Sequence, residues 1–340
     1  MKKVLIVAVM TIAMMLGLTA CGSNNAPEIS PSPVGETPAK SEEPAASEET
    51  KDDENSTRIV KDVKGEVEIP ANPQRIVDLS GASDTLSILG YQVIGTANSD
   101  GYDYTKFPSY LEKVLAGAKI LGYSMQDTMD VEAIFELEPD LIILSTYQEK
   151  LYDQLKDVAP TVMIELAQLD WKADFMKVAE IMGEEEKATQ WLADYEEKGK
   201  TVGESIKELY GADTSYLSFL ASGGQFYVFD GAGFGDVLYT DLGLKKPEGM
   251  PTQENISLPV VNYEGLAAIG ADIIFAIGTD EDMKALKENS VWKGLDAVKL
   301  DYVIELSASP YFNQGYSPIG RALLLDEIGA YLNGLQTQKQ

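Results

Sequence analysis

The sequence predicts an α/β protein of two lobes, each a mainly parallel sheet flanked by helices, joined by a long inter-lobe helix. Three observations carry this expectation. Across residues 169–209, Phe175, Val178, Ala179 and Met182 recur at helix-face spacing, as do Ala188, Trp191, Leu192 and Tyr195. Gly183 stands between the two sets, where one helix ends and the next begins. The runs at 140–144 and 272–277 are apolar on both faces, the mark of parallel strands covered by helices. Finally, VEAIFELEPDLIIL from Val131 sets beside YEGLAAIGADIIFA from Tyr263, aligning Glu132 with Glu264, Ile134 with Leu266, Asp140 with Asp272 and Ile142 with Ile274. One helix–strand unit is therefore expected in both lobes. A helical spine lets two lobes face each other across a cleft while restricting how far they swing apart, which suits a binder better than an enzyme that must close around its substrate.

Composition narrows the chemistry. The 340 residues are enough for two domains with their own cores, and the apolar fraction of 44% is that of a globular protein. With 55 acidic against 27 basic residues the formal charge is -28, which argues against nucleic acid because phosphate binding needs clustered Lys and Arg. There is no histidine, so the side chain most used for acid/base work and for binding transition metals is missing. The chain also lacks a Gly-x-Ser-x-Gly elbow and any Asp/Glu set at ligand spacing, so neither an enzyme nor a protein that captures metal directly is expected.

In chain order, residues 1–21 read as a secretory signal: Lys2 and Lys3, an apolar run over 4–18, then Leu18-Thr19-Ala20-Cys21. That junction looks like a bacterial lipobox, with the sole cysteine where a lipid would be attached. The resemblance implies a palmitoylated lipoprotein, held by lipid alone on the outer face of the cytoplasmic membrane. Residues 22–57, rich in Ser, Pro, Ala and Glu, read as a flexible acidic tether.

The N-terminal lobe is expected over 58–168. Its strands are 75–79, 93–95, 140–144 and 161–164, and its helices hold Asp84, Leu86, Ile88 and Leu89 up to Gly90, then 131–137 and 151–158. The spine covers 169–210. The C-terminal lobe, 211–335, opens with strands at 215–220 and 226–229 joined by a Gly223-Gly224 turn. A turn and helix at 233–243 follow, then the helix 263–270 that feeds the strand 272–277.

With these residues in place, the chain from about 58 to 332 resembles the helical-spine class of ABC-importer substrate-binding lipoproteins, which capture ferric siderophores, haem and cobalamin. The landmarks are Arg75-Ile76-Val77 with Ser80-Gly81-Ala82-Ser83-Asp84, Leu121-Gly122, Glu138-Pro139-Asp140, Ala159-Pro160-Thr161, the spine, Trp292, and Ser317-Pro318-Ile319-Gly320. The resemblance implies a monomer without a cofactor that hands its cargo to a membrane permease. It places the permease-docking acids at Asp84 and Asp236, where a charge on each lobe would set register and speed docking.

It also implies a ligand site between the lobes, on loops at the carboxyl ends of strands. The candidates are Tyr102, Tyr104, Tyr123, Met125, Tyr147, Trp171, Phe226, Tyr227, Tyr311, Phe312 and Tyr316, with Arg321 as a cation. Aromatic walls give apolar contact at low entropy cost, and their hydroxyls can donate to chelate oxygens. Few cations beyond Arg321 and Lys106 are near, so the expected ligand is a near-neutral ferric hydroxamate, an iron(III)–siderophore complex, rather than a strongly anionic catecholate. Haem, cobalamin and, outside the family, a secreted α/β enzyme are the alternatives.

Overall fold

A computed structural model describes residues 56–167 and 169–337. The expected signal peptide, Cys21 and nearly all of the expected tether lie outside the described residues. The described chain opens with a hairpin, β1 (Thr57–Lys61) paired antiparallel with β2 (Glu66–Pro70). Then come β3 (Ile76–Asp78), α1 (Ser83–Ile88), β4 (Val93–Thr96), β5 (Lys119–Ile120) and α2 (Val131–Glu136). β6 (Leu141–Ser145) runs into a 3-10 turn at Thr146–Leu151, α3 (Tyr152–Leu155) and β7 (Thr161–Ile164). The sheet has the order β5-β4-β3-β6-β7, and every pair in it is parallel. The helix expected at 151–158 thus begins at Thr146, because Ser145 and Gln148 form a capping box that starts the turn directly off the strand.

The pleat divides this core by alternate residues. Ile76, Leu141, Ile143, Val162 and Ile164 pack with Leu86, Phe175 and Val178, while Val77, Ile142, Leu144 and Met163 pack with Ala133 and Ile134 on the other face. Burial on both faces is why β6 is apolar along its length.

The spine consists of α4 (Trp171–Met182) and α5 (Glu185–Tyr210), with Gly183 between them in the left-handed conformation, φ 72°. The 26 residues of α5 reach about 39 Å at ~1.5 Å per residue. Its buried glycines let it approach very closely: a Cβ on Gly203 would lie 1.9 Å from the Leu242 carbonyl oxygen, and one on Gly199 would lie 2.8 Å from that of Asp241. Gly203→Ala is accordingly expected to cost about 1–3 kcal/mol by overpacking against rigid backbone. Urea denaturation measures it, and a midpoint equal to the parent's would show that the helix can slide away.

After the spine come β8 (Tyr216–Ser222) and β9 (Gln225–Val228), then α6 (Gly233–Asp236) with a π-helical turn at Val237–Asp241. Next are β10 (Val260–Val261), α7 (Tyr263–Ile269), β11 (Ile273–Gly278), α8 (Asp280–Glu288), α9 (Ser290–Gly294) and α10 (Asp296–Lys299). β12 (Val303–Ser307), α11 (Ala308–Gln314) and α12 (Pro318–Thr337) complete the described residues. This sheet has the order β10-β9-β8-β11-β12. β8, β11 and β12 are parallel, whereas β9 returns antiparallel on β8 and β10 antiparallel on β9. Gly223 and Gly224 take φ 58° and 79° in the turn between β8 and β9, conformations that favour glycine.

The repeated unit occupies equivalent places. β6 and β11 each stand fourth in their sheet, and the aligned aspartates do the same work. Asp140 accepts the N–H groups of Gln74 and Arg75 at 2.7 and 2.9 Å, just ahead of β3. Asp272 accepts the N–H and hydroxyl of Ser215 at 2.8 and 2.6 Å, just ahead of β8. In each sheet a carboxylate at the foot of one strand fixes where its neighbour begins.

Candidate ligand cleft

A cavity of about 690 Å³ opens between the two sheets, within the range that small-molecule sites occupy. One wall comes from the loops after β3 and β4, the 123–125 loop and Tyr147 on the 3-10 turn. The floor carries Trp171 and Asp174 from the first turn of α4. The opposite wall is built from β8, β9, the 256–260 segment and the junction of α11 with α12.

Buried polar groups hold these walls in place. Gln148, fully buried, donates from Nε2 to the carbonyls of Ser124 and Gln126 at 2.7 and 2.8 Å. Its Oε1 accepts from the N–H and hydroxyl of Ser145 at 3.1 and 2.9 Å. One side chain thus ties the loop bearing Tyr123 and Met125 to the end of β6. On the floor, Trp171 meets Tyr195 edge-on with centroids 5.3 Å apart, and the Arg321 guanidinium lies 4.5 Å from its ring centroid.

Of the residues expected from sequence, Tyr123, Met125, Tyr147, Trp171, Tyr227, Phe312 and Tyr316 line the cavity. Tyr102 and Tyr104 stand behind it, each 45% exposed, Tyr102 edge-on to Phe312 and Tyr104 stacked on Tyr123 at 4.8 Å. Tyr311 shares a hydroxyl–hydroxyl hydrogen bond with Tyr331 and packs on the second core, off the cavity wall. Phe226 belongs to the core: it is 1% exposed and packed against Phe219 and Tyr263. Neighbours on a strand point to opposite faces, so the placement of Tyr227 at the cavity commits Phe226 to the interior.

Arg321 corrects a further expectation. It is 1% exposed and its donors are taken within the C-terminal lobe and by the spine. Nη2 donates to Asp236 Oδ2 and Asp241 Oδ2, both at 2.5 Å, Nη1 to the Gly315 carbonyl at 2.9 Å, and Nε to the Tyr195 hydroxyl at 3.4 Å. It therefore supports Trp171 from behind and offers the cavity no charge. Lys106 does not line the cavity and pairs with Asp103 at 2.7 Å.

The two expected docking carboxylates are also engaged internally. Asp236 is held by Arg321, its side chain 13% exposed. Asp84, 1% exposed on α1, accepts the Ser317 hydroxyl at 2.5 Å and the Ile319 N–H at 3.4 Å, both from the start of α12. Burial pushes the Asp84 carboxyl up to about 6, against the opposing pull of the Ser317 hydrogen bond. Asp100 accepts the Ser309 hydroxyl in a similar bond between the halves. Neither Asp84 nor Asp236 thus presents an open carboxylate at the surface, because each has been drawn into hydrogen bonds that pack one element on another.

Sequence reasoning passed over several wall residues: Ser80, Asn98, Tyr110, Asp174 and Asn313. Tyr110 follows Pro108 in a loop that has no helix or strand periodicity, the same signal that marked Tyr102 and Tyr104. Among the described residues lining the cavity, Asp174 alone is charged. Burial raises the phenols of Tyr123, Tyr110 and Tyr316 above their ordinary range, so at neutral pH they are protonated donors. The wall therefore offers aromatic faces, hydroxyls and amides, with a single carboxylate at its floor.

Comparison with known proteins agrees with this architecture. The family model described as periplasmic binding protein matches residues 99–310. The chain is 29% identical over 293 residues to the probable siderophore-binding lipoprotein YfiY of Bacillus subtilis strain 168, covering 82% of this chain and 88% of that protein. It is 28% identical over 339 residues to the iron(3+)-hydroxamate-binding protein YxeB of the same organism, covering 96% of each. Among solved structures, the FhuD protein from S. pseudintermedius has the same fold, with a TM-score of 0.66 at 24% identity over 82% of this chain and 98% of that one.

Proposed function

This chain belongs to the periplasmic binding protein family of ABC-importer substrate-binding proteins, and on that premise we propose that it captures a ferric siderophore of the hydroxamate type in the cleft and delivers it to an importer permease. The observation that carries the reading is a wall of aromatic rings and hydroxyls with no Lys or Arg among the described residues that line it. A tris-catecholate iron complex is a multiply charged anion; in this cleft it would lose water, find no cation and face Asp174, an uncompensated desolvation cost. A hydroxamate chelate has little net charge. It presents apolar edges to rings such as Trp171 and Phe312, and its ligand oxygens can accept from phenols such as Tyr123.

The relatives support the same class, since YfiY is named siderophore-binding and YxeB hydroxamate-binding. We read the protein as a binder without turnover, its iron arriving already chelated, and as lipid-anchored through Cys21 outside the cytoplasmic membrane.

Intrinsic fluorescence tests this. Trp171 lies on the cavity wall, whereas Trp292 is buried in the second lobe's core. Ferric hydroxamate is expected to quench with submicromolar affinity, the iron-free chelator hardly at all, and Trp171→Phe to remove most of the response. Quenching by haem or cobalamin alone would overturn the ligand class, and a stronger response to ferric catecholate would overturn the charge argument.

A further inference from the structure

Within that reading, on which the inference rests, we propose that Tyr316 is the residue that recognises the chelate by hydrogen bonding: from the cavity wall its hydroxyl donates to an iron-bound hydroxamate oxygen. Other polar groups on the wall are engaged within the protein. Ser80 donates to Asp78 at 2.6 Å and Ser99 to the Gly122 carbonyl at 2.9 Å. The Tyr227 hydroxyl reaches Gln225 at 3.4 Å, while those of Tyr123 and Tyr110 meet Asn313 and Ser317. Tyr147 has an interaction of its own. The Tyr316 hydroxyl makes no hydrogen bond among the described residues, and Tyr123 and Arg321 act on it only electrostatically. Nor is it sealed away like the Tyr216 hydroxyl, which is buried in the core without a partner.

The ring is held without help from that hydroxyl. It packs over Gly233, whose backbone takes φ 61°; a Cβ there would lie 2.8 Å from ring atoms Cε2 and Cζ. Gly315, just before Tyr316, is packed as closely, since its Cβ would lie 2.4 Å from the Gly233 carbonyl carbon. Phe312 meets the ring at 6.4 Å between centroids. A ring fixed in this way has little freedom left to lose when cargo binds, so a hydrogen bond from its hydroxyl is not offset by an ordering cost. Burial holds the phenol above its ordinary range, so the proton to be donated is present at neutral pH. An iron-bound hydroxamate oxygen has given up its own proton and, like an ionised carboxylate oxygen, can only accept.

The test titrates the ferric complex of desferrioxamine B into the parent protein and Tyr316→Phe, which keeps the ring over Gly233 and removes only the hydroxyl. The variant is expected to bind on the order of tenfold more weakly, with a urea midpoint equal to or above the parent's, because no bond within the protein is lost. The visible oxygen-to-iron charge-transfer band of the chelate should shift on binding to the parent and shift less on binding to the variant. Tyr311→Phe is the converse control: its hydroxyl bonds Tyr331 off the cavity wall, so this variant should lose stability and keep its affinity. An affinity unchanged in Tyr316→Phe, or a midpoint lowered as in Tyr311→Phe, would overturn the proposal while leaving hydroxamate capture intact. Absence of binding by the parent would instead bring down the hydroxamate reading, and this inference with it.

Discussion

Replacing Arg321 by Met is expected to lower the stability of the fold by about 3–5 kcal/mol, the range for removing one partner of a buried ion pair. The guanidinium sits between Asp236 and Asp241, whose side chains are 13% and 2% exposed. Without it the two carboxylates face each other with little water to screen them. The Tyr195 hydroxyl, which donates to Asp241, also loses its second partner. The Gly315 carbonyl loses a donor as well. Urea denaturation gives the number, provided the slope of the transition is unchanged.

Two controls separate loss of charge balance from loss of packing. Adding Asp236→Asn and Asp241→Asn to the Met variant removes the orphaned charges and should recover part of the deficit. Burial already raises the Asp241 carboxyl despite the neighbouring Arg321. In the Met variant it should take up a proton more readily still, so the deficit should narrow as the pH falls. A cost below about 1 kcal/mol would mean that the cluster is open to solvent. Because Arg321 backs Trp171, the emission of that residue should shift even where the variant remains folded.

Asp84→Asn is expected to raise stability at neutral pH, by an amount that vanishes in acid. The carboxyl is held at about 6 against its ordinary 3.8, chiefly by burial. The folded protein therefore retains this proton through a window in which the unfolded chain has lost it. Stability contributed by the group is complete below the unfolded value and is lost as the pH rises through about 6. At neutral pH, ionising a carboxyl raised this far costs the fold ~3 kcal/mol. Asparagine offers the same oxygen to the Ser317 hydroxyl and does not titrate. Urea midpoints of parent and variant measured from pH 4 to pH 7 (a range spanning the ordinary and raised values of ~4 and ~6) should diverge steadily; a gap independent of pH would sink the assignment. The partners of Asp84 lie at the start of α12 in the other lobe, so the cost of ionising it falls on the contact between lobes.

Much of the fold was legible because periodicity reports burial. Phe175, Val178, Ala179 and Met182 are buried on α4, and Gly183 ends the helix in the left-handed conformation. The alignment of Asp140 with Asp272 corresponds to a shared hydrogen-bonding role. The β1–β2 hairpin went unseen: its burial pattern leaves most residues exposed or half-exposed, and it directly follows the acidic run. β10 and β5 have two residues each, too short to carry a period.

The site divides along the same line. Aromatics outside regular periodicity pointed to Tyr123, Phe312 and Tyr316, and these line the cavity. Phe226 and Tyr227 are adjacent and chemically alike, and only the pleat of β9 says which one sees the cleft. Asp174 reads in sequence as an ordinary first-turn acid.

By itself, then, the chain's order of residues determined a two-sheet α/β plan, a helical connector, a strongly acidic surface without histidine, and a set of rings outside the cores. Those properties follow from local spacing and composition, which need no partner. Only the tertiary structure decided that Arg321, Asp84 and Asp236 are consumed internally and that Asp174 is the charge on the cleft floor. Where a charged side chain does its work depends on what packing brings within about 3 Å of it, and Arg321 finds its carboxylates 85 and 80 positions away along the chain.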